Sequence, residues 1–287
     1  MTLIESAPKG TGQRGSTLFA DDFRNGLRHD GPGAAWLLRP VESFPHGDGD
    51  LSVTDEGLVV VPTGTNADTG HPAFVRPTGH QGDTEFLRWA TFTKTMSANG
   101  VLGFDLPPGG EITGSVRLGA EIIGTDRHPL GADVVNHNTD MRLGAGALIG
   151  IDLETGLVLD LVLTNHKIFA LYERLPRPAS DHAMFSYSVP VADRTPGQKH
   201  RLEISVGATS SGRAVWRVDG QEVLAVDQLG LRCLDRTHLL REDSEGTEEL
   251  VAPRQINFGL ALFAAGLWGQ GARLVADDLR VEFTSHL

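Results

Sequence analysis

The chain has 287 residues, and its 37 acidic side chains against 25 lysines and arginines give a net charge of −12. This balance argues against nucleic acid or an anionic membrane as a partner, because both require clustered Lys and Arg. A single cysteine, Cys233, excludes an intramolecular disulfide and fits a reducing compartment. We expect Cys233 to be a small buried residue and not a nucleophile.

The start of the chain carries no apolar run typical of an export signal. We expect residues 1–16 to be disordered or loosely attached. Residues 17–287 should form a single domain, because no Pro/Ser-rich linker divides them. No stretch approaches 18 apolar residues, so a membrane-spanning helix is not expected. The sequence therefore predicts a cytoplasmic protein, and its richness in Ala, Gly, Arg and Asp is typical of bacteria.

Short runs of apolar and β-branched residues, separated by turn signals, continue along the whole chain. They predict strands at residues 17–23, 51–54, 57–62, 85–94, 101–106, 111–125, 141–153, 199–206, 214–218, 222–226, 255–263 and 272–283. The best helical candidate, residues 235–250, is charged and lies in a connection. Many strands without a long helical period predict an all-β fold, an antiparallel β-sandwich.

Three adjacent strands are predicted between residues 150 and 176, where Thr155-Gly156 and Asn165-His166 are turn signals. A two-residue turn at Asn165-His166 places Asp160 opposite Leu171, and Val158 opposite Glu173, on one side of the sheet. A two-residue turn at Thr155-Gly156 places Asp152 opposite Leu159. The other side of the sheet is predicted to be core and carries Leu157, Leu159, Leu161, Leu163, Ile168, Ala170 and Tyr172.

Asp160 and Glu173 are diagonal neighbours in this register, among apolar side chains that include Phe169. Carboxyl groups in apolar surroundings are candidates for raised pKa values and for proton transfer. The alternative is that Asp160 pairs with Lys167 or with an arginine of a neighbouring strand on a solvated face. A register slip of one residue would also separate the two carboxyl groups.

Several short motifs resemble the concanavalin A-like lectin and glucanase superfamily of β-jelly rolls, over about residues 17–283. They are Phe19-Ala-Asp-Asp-Phe23, Glu56-Gly-Leu-Val-Val60, Trp216-Arg-Val-Asp-Gly220 and Ala276-Asp-Asp-Leu-Arg-Val281. Many glucanases of this superfamily use a Glu-x-Asp-x-Glu strand with two catalytic glutamates. The nearest match here, Asp152-Leu-Glu154, lacks the first glutamate, which argues against a retaining hydrolase.

The same resemblance implies a structural calcium ion between the first and last strands, held by Asp22 and Asp278. Calcium requires six to eight oxygen ligands, so backbone carbonyls and water would complete the site. The alternative is that both are ordinary exposed residues at strand ends. No sequence pattern for a redox cofactor is present, and we expect none to be required.

Other candidate ligand-binding residues are isolated in the sequence. Trp89 could offer a flat surface to a ligand, whereas Trp216 is more typical of a core residue. Arg88 and Arg117 could anchor a carboxylate or balance Asp160, and Lys167 and Phe169 lie beside the predicted carboxylate pair. His137 belongs to a polar loop at residues 131–142 and could exchange protons near neutral pH.

Three classes of function fit these features. The first, which we favour, is an enzyme of the cyclase, isomerase or lyase type, acting on a small molecule in specialised metabolism, with Glu173 and Asp160 assisted by Tyr172 or His137. The second is a glycoside hydrolase or polysaccharide lyase that uses Asp160 and Glu173, or Asp152 and Glu154. The third is a non-catalytic carbohydrate-binding domain. Long edge strands would also be compatible with a homodimer.

Overall fold

The computed structural model describes residues 14–79, 84–177, 181–243 and 246–285. In chain order its strands are β1 (Arg14–Asp21), β2 (Trp36–Leu38), β3 (Asp50–Thr54), β4 (Gly57–Val61), β5 (Gly64–Thr65), β6 (Pro72–Ala73), β7 (Leu87–Thr93), β8 (Phe104–Asp105), β9 (Gly110–Ile123), β10 (Ala145–Asp152), β11 (Leu157–Leu163), β12 (Lys167–Arg174), β13 (Phe185–Asp193), β14 (His200–Gly207), β15 (Arg213–Val218), β16 (Gln221–Val226), β17 (Leu239–Glu242), β18 (Gln255–Phe263) and β19 (Gly271–Ser285). Short 3-10 turns lie at Thr125–Arg127, Gly131–Asp133, Met141–Leu143 and Arg236–His238. Within the described ranges there is no α-helix, and accordingly no helix long and apolar enough to cross a membrane.

Two antiparallel sheets form a sandwich, which confirms the predicted fold class. The first sheet has the order β16-β15-β14-β9-β19-β4-β3, and β1 also pairs with β19. The second has the order β17-β13-β12-β11-β10-β18-β7-β2, and β8 also pairs with β18. The three central strands predicted from the sequence, β10 to β12, are neighbours in the middle of the second sheet.

The core lies between the inner faces of the two sheets. Leucines at alternate positions of β11 point into it, as predicted, and each is fully buried. Trp216 of β15 reaches across from the first sheet, and its Nε1 donates a hydrogen bond to the Asp160 carbonyl oxygen at 3.1 Å. The indole therefore fixes the position of the strand that carries Asp160, and the prediction that Trp216 is a core residue is confirmed.

The register of the β11–β12 hairpin is confirmed. The Thr164 backbone N–H donates to the Lys167 carbonyl oxygen at 3.0 Å, closing a two-residue turn at Asn165-His166. Asp160 pairs with Leu171 and Val158 pairs with Glu173. The two carboxyl groups therefore lie on the same side of the sheet as diagonal neighbours.

The register predicted for the β10–β11 hairpin is wrong. Asp152 pairs with Leu157 and not with Leu159, because the turn spans the four residues 153–156. Asp152 itself causes the difference: its Oδ1 accepts from the backbone N–H of Glu154 at 2.8 Å and that of Thr155 at 3.3 Å. A side chain that binds its own turn in this way favours a longer connection.

Other boundaries differ from the sequence prediction. Strand β13 was not predicted; its Pro190 sits beside a bulge, where a missing N–H is tolerated. Residues 236–242, placed in the helical candidate, form a 3-10 turn and strand β17.

Residues 1–13 lie outside the described residues, but Arg14–Asp21 form β1, so 14–16 belong to the sheet. Cys233 is exposed and not buried.

Two buried polar side chains hold the β11–β12 turn to the first sheet. Asn165 exchanges two hydrogen bonds with the backbone of Ile122, at 2.8 and 2.9 Å. The Arg194 guanidinium donates to the carbonyl oxygens of Ala120 (2.8 Å), Gln198 (3.0 Å) and Thr164. These bonds anchor the turn end of the β11–β12 hairpin. The two strands that carry Asp160 and Glu173 therefore have a rigid support.

Candidate functional site

The side of the second sheet that faces away from the first sheet, here called the outer face, is largely aliphatic. Its buried members are Ala90, Ala145, Ala147, Ile149, Val162, Leu171 and Ala261, bordered by the partly buried Phe92, Met141, Ile151, Phe169 and Phe263. Met141 comes from the loop of residues 124–144, which therefore covers part of the face. An apolar surface of this kind on the outside of a sandwich suits the binding of an apolar group.

Asp160 lies in the middle of the outer face, between Ile149 of β10 and Leu171 of β12. It is 3% exposed, and its Oδ1 is buried without a hydrogen-bond partner in the described structure. Burial raises the pKa of Asp160 well above its usual range, and the negative charge of Glu173 raises it further, while the Gly150 backbone N–H opposes the rise. Asp160 is therefore a carboxyl group that favours its protonated form.

Glu173 lies one row of side chains nearer the strand ends, and its side chain is only partly buried. Its Oε1 accepts a short hydrogen bond from the Ser186 hydroxyl of β13. Burial raises the pKa of Glu173, and the bond from Ser186 limits this rise because it stabilises the carboxylate. Sequence reasoning missed Ser186 because β13 was missed, although the buried Phe185 and Tyr187 at alternate positions were a signal for it.

Neither carboxyl group is neutralised by a basic side chain within the described residues. The alternative partner Lys167 instead forms an ion pair with Asp193, with Nζ and Oδ1 at 2.5 Å. Phe169 does lie on the outer face, as predicted. Two interacting carboxyl groups in apolar surroundings can share a proton, donate it or accept it. The arrangement is suited to acid/base chemistry.

Tyr172 and Trp89 do not belong to this site. Tyr172 is fully buried on the opposite side of the sheet from Glu173. Its hydroxyl accepts from the Gly230 N–H at 2.7 Å and donates to the Leu231 carbonyl oxygen at 3.0 Å. The Trp89 ring is also fully buried in the core, where no ligand can reach its flat surface. Their predicted catalytic and ligand-binding roles are corrected to structural ones.

The two candidate arginines are also engaged elsewhere. Arg88 is fully buried and donates to the Val75 carbonyl oxygen at 2.8 Å, with Asp48 at 3.6 Å. It ties loops together beside β7 and presents no free guanidinium to a ligand. Arg117 lies on β9 in the first sheet, 3.4 Å from Asp277. It is on a different sheet from Asp160, so it does not balance that carboxyl group.

His137 lies in the loop of residues 124–144, at the end of the sandwich where β11 meets β12. Its Nδ1 is 2.9 Å from the Thr125 hydroxyl, and its Nε2 is 3.4 Å from Asn138 Nδ2. No hydrogen bond joins it to Asp160 or Glu173 in the described structure. The structure thus does not bring His137 into the carboxylate pair.

Asp152 and Glu154, the second carboxylate candidate, are separated by their partners. Asp152 is fully buried on the core side and accepts from Gln255 Nε2 at 2.6 Å and from the Thr155 hydroxyl at 2.7 Å. Burial raises its pKa, opposed by these turn bonds. Glu154 forms an ion pair with Arg254, with 2.7 Å between Oε1 and Nη2. Asp152 therefore stabilises a turn and is not paired with Glu154.

The surroundings of Asp278 do not fit a calcium site. Its carboxylate binds Arg201 Nη1 at 3.0 Å and Arg280 Nε at 2.7 Å, and these guanidinium groups lower its pKa. Asp22 is exposed and accepts from the Arg24 backbone N–H at 3.0 Å. In the described residues no group of three or more His, Cys, Asp or Glu side chains is placed to hold a metal ion.

Comparisons with known proteins agree with this architecture. β-Agarase B from Zobellia galactanivorans is similar over 96% of both chains, with 12% identity and a TM-score of 0.52. BuGH16Bwt is similar over 95% of this chain and 94% of its own, with 11% identity and a TM-score of 0.51. At such identities the likeness concerns the fold, and it shows a concanavalin A-like sandwich.

Sequence relatives are less informative about chemistry. An uncharacterised protein, L829 of Acanthamoeba polyphaga mimivirus, is 25% identical over an alignment of 186 residues, and the match covers 45% of this chain and 42% of the viral protein. The chain thus spans less than half the length of that relative. The model of DUF6081, a family of unknown function, matches residues 20–285. The protein described here is therefore a member of the DUF6081 family.

Proposed function

We propose that this protein is an enzyme that binds a small molecule on the outer face and moves a proton with Glu173 and Asp160. The observation that supports this most is the buried carboxyl group of Asp160, which lies beside a second carboxyl group in aliphatic surroundings. Burying an acid without a cation destabilises the fold, so such a group is more often retained for chemistry than for stability.

The two carboxyl groups would have different roles. Glu173 is the more accessible one, and the Ser186 hydroxyl that stabilises its charged form makes it the proton acceptor. Asp160 holds its proton more firmly and would act as the acid, or as the store to which the proton returns. Ionisation of Glu173 opposes ionisation of Asp160, because two like charges would then lie close together.

The lining of the outer face indicates the kind of substrate. Alanine, isoleucine, valine and leucine side chains bury an apolar group and offer few hydrogen bonds to sugar hydroxyls. We therefore infer a cyclase, isomerase or lyase type of reaction on a partly apolar molecule, without a redox cofactor. A proton taken from carbon beside a carbonyl group is the simplest step that such a site could perform.

The test begins with a thermal-shift screen against matched panels of oligosaccharides and apolar small molecules, because a ligand of the native state raises the melting temperature. Compounds that shift the melting temperature are then incubated with the protein in D2O, and deuterium incorporation is followed by mass spectrometry. We expect exchange into an apolar ligand by the wild type and its loss in Glu173→Gln. Exchange that is equally fast in Glu173→Gln would exclude the proposed mechanism.

A glycoside hydrolase is the second candidate. The likeness to β-agarase B is one of fold, but the diagonal placement of two carboxyl groups on neighbouring strands is also compatible with cleavage of a glycosidic bond. This alternative predicts that oligosaccharides alone raise the melting temperature and that reducing ends are released. The absence of both results would leave the small-molecule enzyme as the better account.

A further inference from the structure

A cavity of about 440 Å³ opens at the end of the second sheet, beyond Glu173. Three of its lining residues flank strands of the second sheet: Leu153 follows β10, Arg177 lies three residues after β12, and Arg254 precedes β18. In an antiparallel sheet these strand ends meet at one edge. Glu173 is in one row with Val158 and Ile151, and Leu153, which lines the cavity, follows Ile151 by two residues.

Among the described residues that line the cavity, Arg177 and Arg254 against Glu154 give an excess of one positive charge. Glu154 and Arg254 form a two-bond ion pair, at 2.7 and 3.3 Å. The Arg177 side chain makes no hydrogen bond or ion pair with the described residues, and its stem passes over Gly156, with Cγ 3.3 Å from where a Cβ would lie. Gly156 has a φ of 75° and thus favours glycine.

We propose that this cavity binds a carboxylate group of the substrate, and that the substrate is an amphipathic carboxylic acid whose apolar part lies on the outer face. This inference rests on the proposed function, because it takes the reacting part of the molecule to lie at Glu173. A guanidinium group presents paired N–H donors that match a carboxylate. One uncommitted guanidinium balances one negative charge, which favours a carboxylate over a doubly charged phosphate.

Glu173 and the cavity are close enough for one substrate molecule to reach both. Successive residues on one side of a strand are about 7 Å apart, so a chain of several carbon atoms would span from Glu173 to the cavity. Apolar side chains border the route, since Leu153 is an exposed hydrophobic residue at the rim, and Val101 and Ala252 also line the cavity. The apolar part of the substrate would therefore contact the apolar surface, and its carboxylate would contact Arg177.

The experiment is isothermal titration of the full-length protein with acetate, hexanoate and 4-phenylbutyrate, each compared with its primary amide. We expect the longer carboxylates to bind more tightly than their amides.

Arg177→Gln should weaken carboxylate binding roughly tenfold or more, the scale of one charge-assisted paired hydrogen bond. Glu154→Gln should strengthen it, because Arg254 loses its competing partner. Arg24→Gln, a change at an exposed arginine after β1, is the matched control and should bind like the wild type.

The opposite effects of the two cavity variants separate binding from folding, because a merely structural role would not make Glu154→Gln bind more tightly. Carboxylates that bind no better than their amides, or an Arg177→Gln protein that binds like the wild type, would overturn the inference. Glu173→Gln should keep carboxylate binding. If Glu173→Gln retains all proton transfer while Arg177→Gln loses binding, the proposed function fails and the anion site stands; the reverse pattern rejects only the anion site.

Discussion

Asp160 of β11 and Glu173 of β12 lie diagonally on the outer face, where burial raises the pKa of Asp160 and the charge of Glu173 raises it further. Neither has a basic partner in the described residues. Their strands lie in the middle of the second sheet and are held by Trp216 on the core side and by the Asn165-His166 turn at one end, which makes the pair the best-supported candidate site.

The stability of the protein should depend on Asp160. A carboxyl group with a raised pKa in the folded state stabilises the fold below its unfolded pKa, and this contribution is lost as the pH rises through the folded pKa. Asp160→Asn should therefore gain stability over the wild type at alkaline pH, on the order of 1–3 kcal/mol, the scale of an uncompensated buried polar group. Urea unfolding at several pH values measures it. Asp193→Asn, a change at an exposed aspartate, is the control and should alter the free energy of unfolding by only a few tenths of a kcal/mol.

Ser186 should set the proton affinity of Glu173. Its hydroxyl stabilises the Glu173 carboxylate, so Ser186→Ala should raise the Glu173 pKa and move the acidic limb of any pH–rate profile to higher pH. Carbon-13 NMR of labelled glutamate side chains follows the titration. Ser188→Ala is the matched control: Ser188 is on the same strand beside Leu171 but has no bond to Glu173. An unchanged Glu173 titration in Ser186→Ala would remove Ser186 from the site.

Tyr172→Phe should affect stability and not proton transfer. Removal of the hydroxyl leaves the buried Gly230 N–H without a partner, which costs about 1–3 kcal/mol, while the Leu231 carbonyl oxygen keeps its bond from the Cys233 N–H. Differential scanning calorimetry and the deuterium-exchange assay test the two effects separately. Loss of exchange in a folded Tyr172→Phe protein would show that the corrected structural role is incomplete.

Arg194→Lys should lower the free energy of unfolding by about 2–4 kcal/mol, because a lysine ammonium cannot reach the four carbonyl oxygens that the planar guanidinium binds. Burial without a carboxylate lowers the pKa of Arg194 to about 10, so the charge is held by carbonyl oxygens in the described structure. Chemical unfolding measures the change. Arg213→Lys, an exposed control paired with Asp227, should remain within a few tenths of a kcal/mol.

Much of the fold could be predicted because strand period and turn chemistry are local. A two-residue turn at Asn165-His166 fixes the β11–β12 register, and this register alone brings Asp160 and Glu173 to one face. The β10–β11 register failed because Asp152 binds its own turn, which a count of turn residues does not reveal. Proline at position 190 concealed β13, since a bulge accommodates it.

The candidate ligand-binding residues were harder to predict because their surroundings come from distant parts of the chain. Arginine is a charged residue type, but loops that include Asp48 and Val75 bury the Arg88 side chain. Arg117 and Asp160 are close to the middle of their strands, yet they belong to different sheets. The cavity at Arg177 and Arg254 joins residues far apart in sequence, and no local pattern marks it.

The most direct test of the central claim is a carbon-13 NMR titration of the Asp160 and Glu173 carboxyl groups, assigned with Asp160→Asn and Glu173→Gln. We predict that both groups titrate above their ordinary range and that the Asp160 pKa falls in Glu173→Gln, because a neighbouring negative charge is removed. An Asp160 that titrates at its ordinary value, or one that is unaffected by Glu173→Gln, would contradict the account.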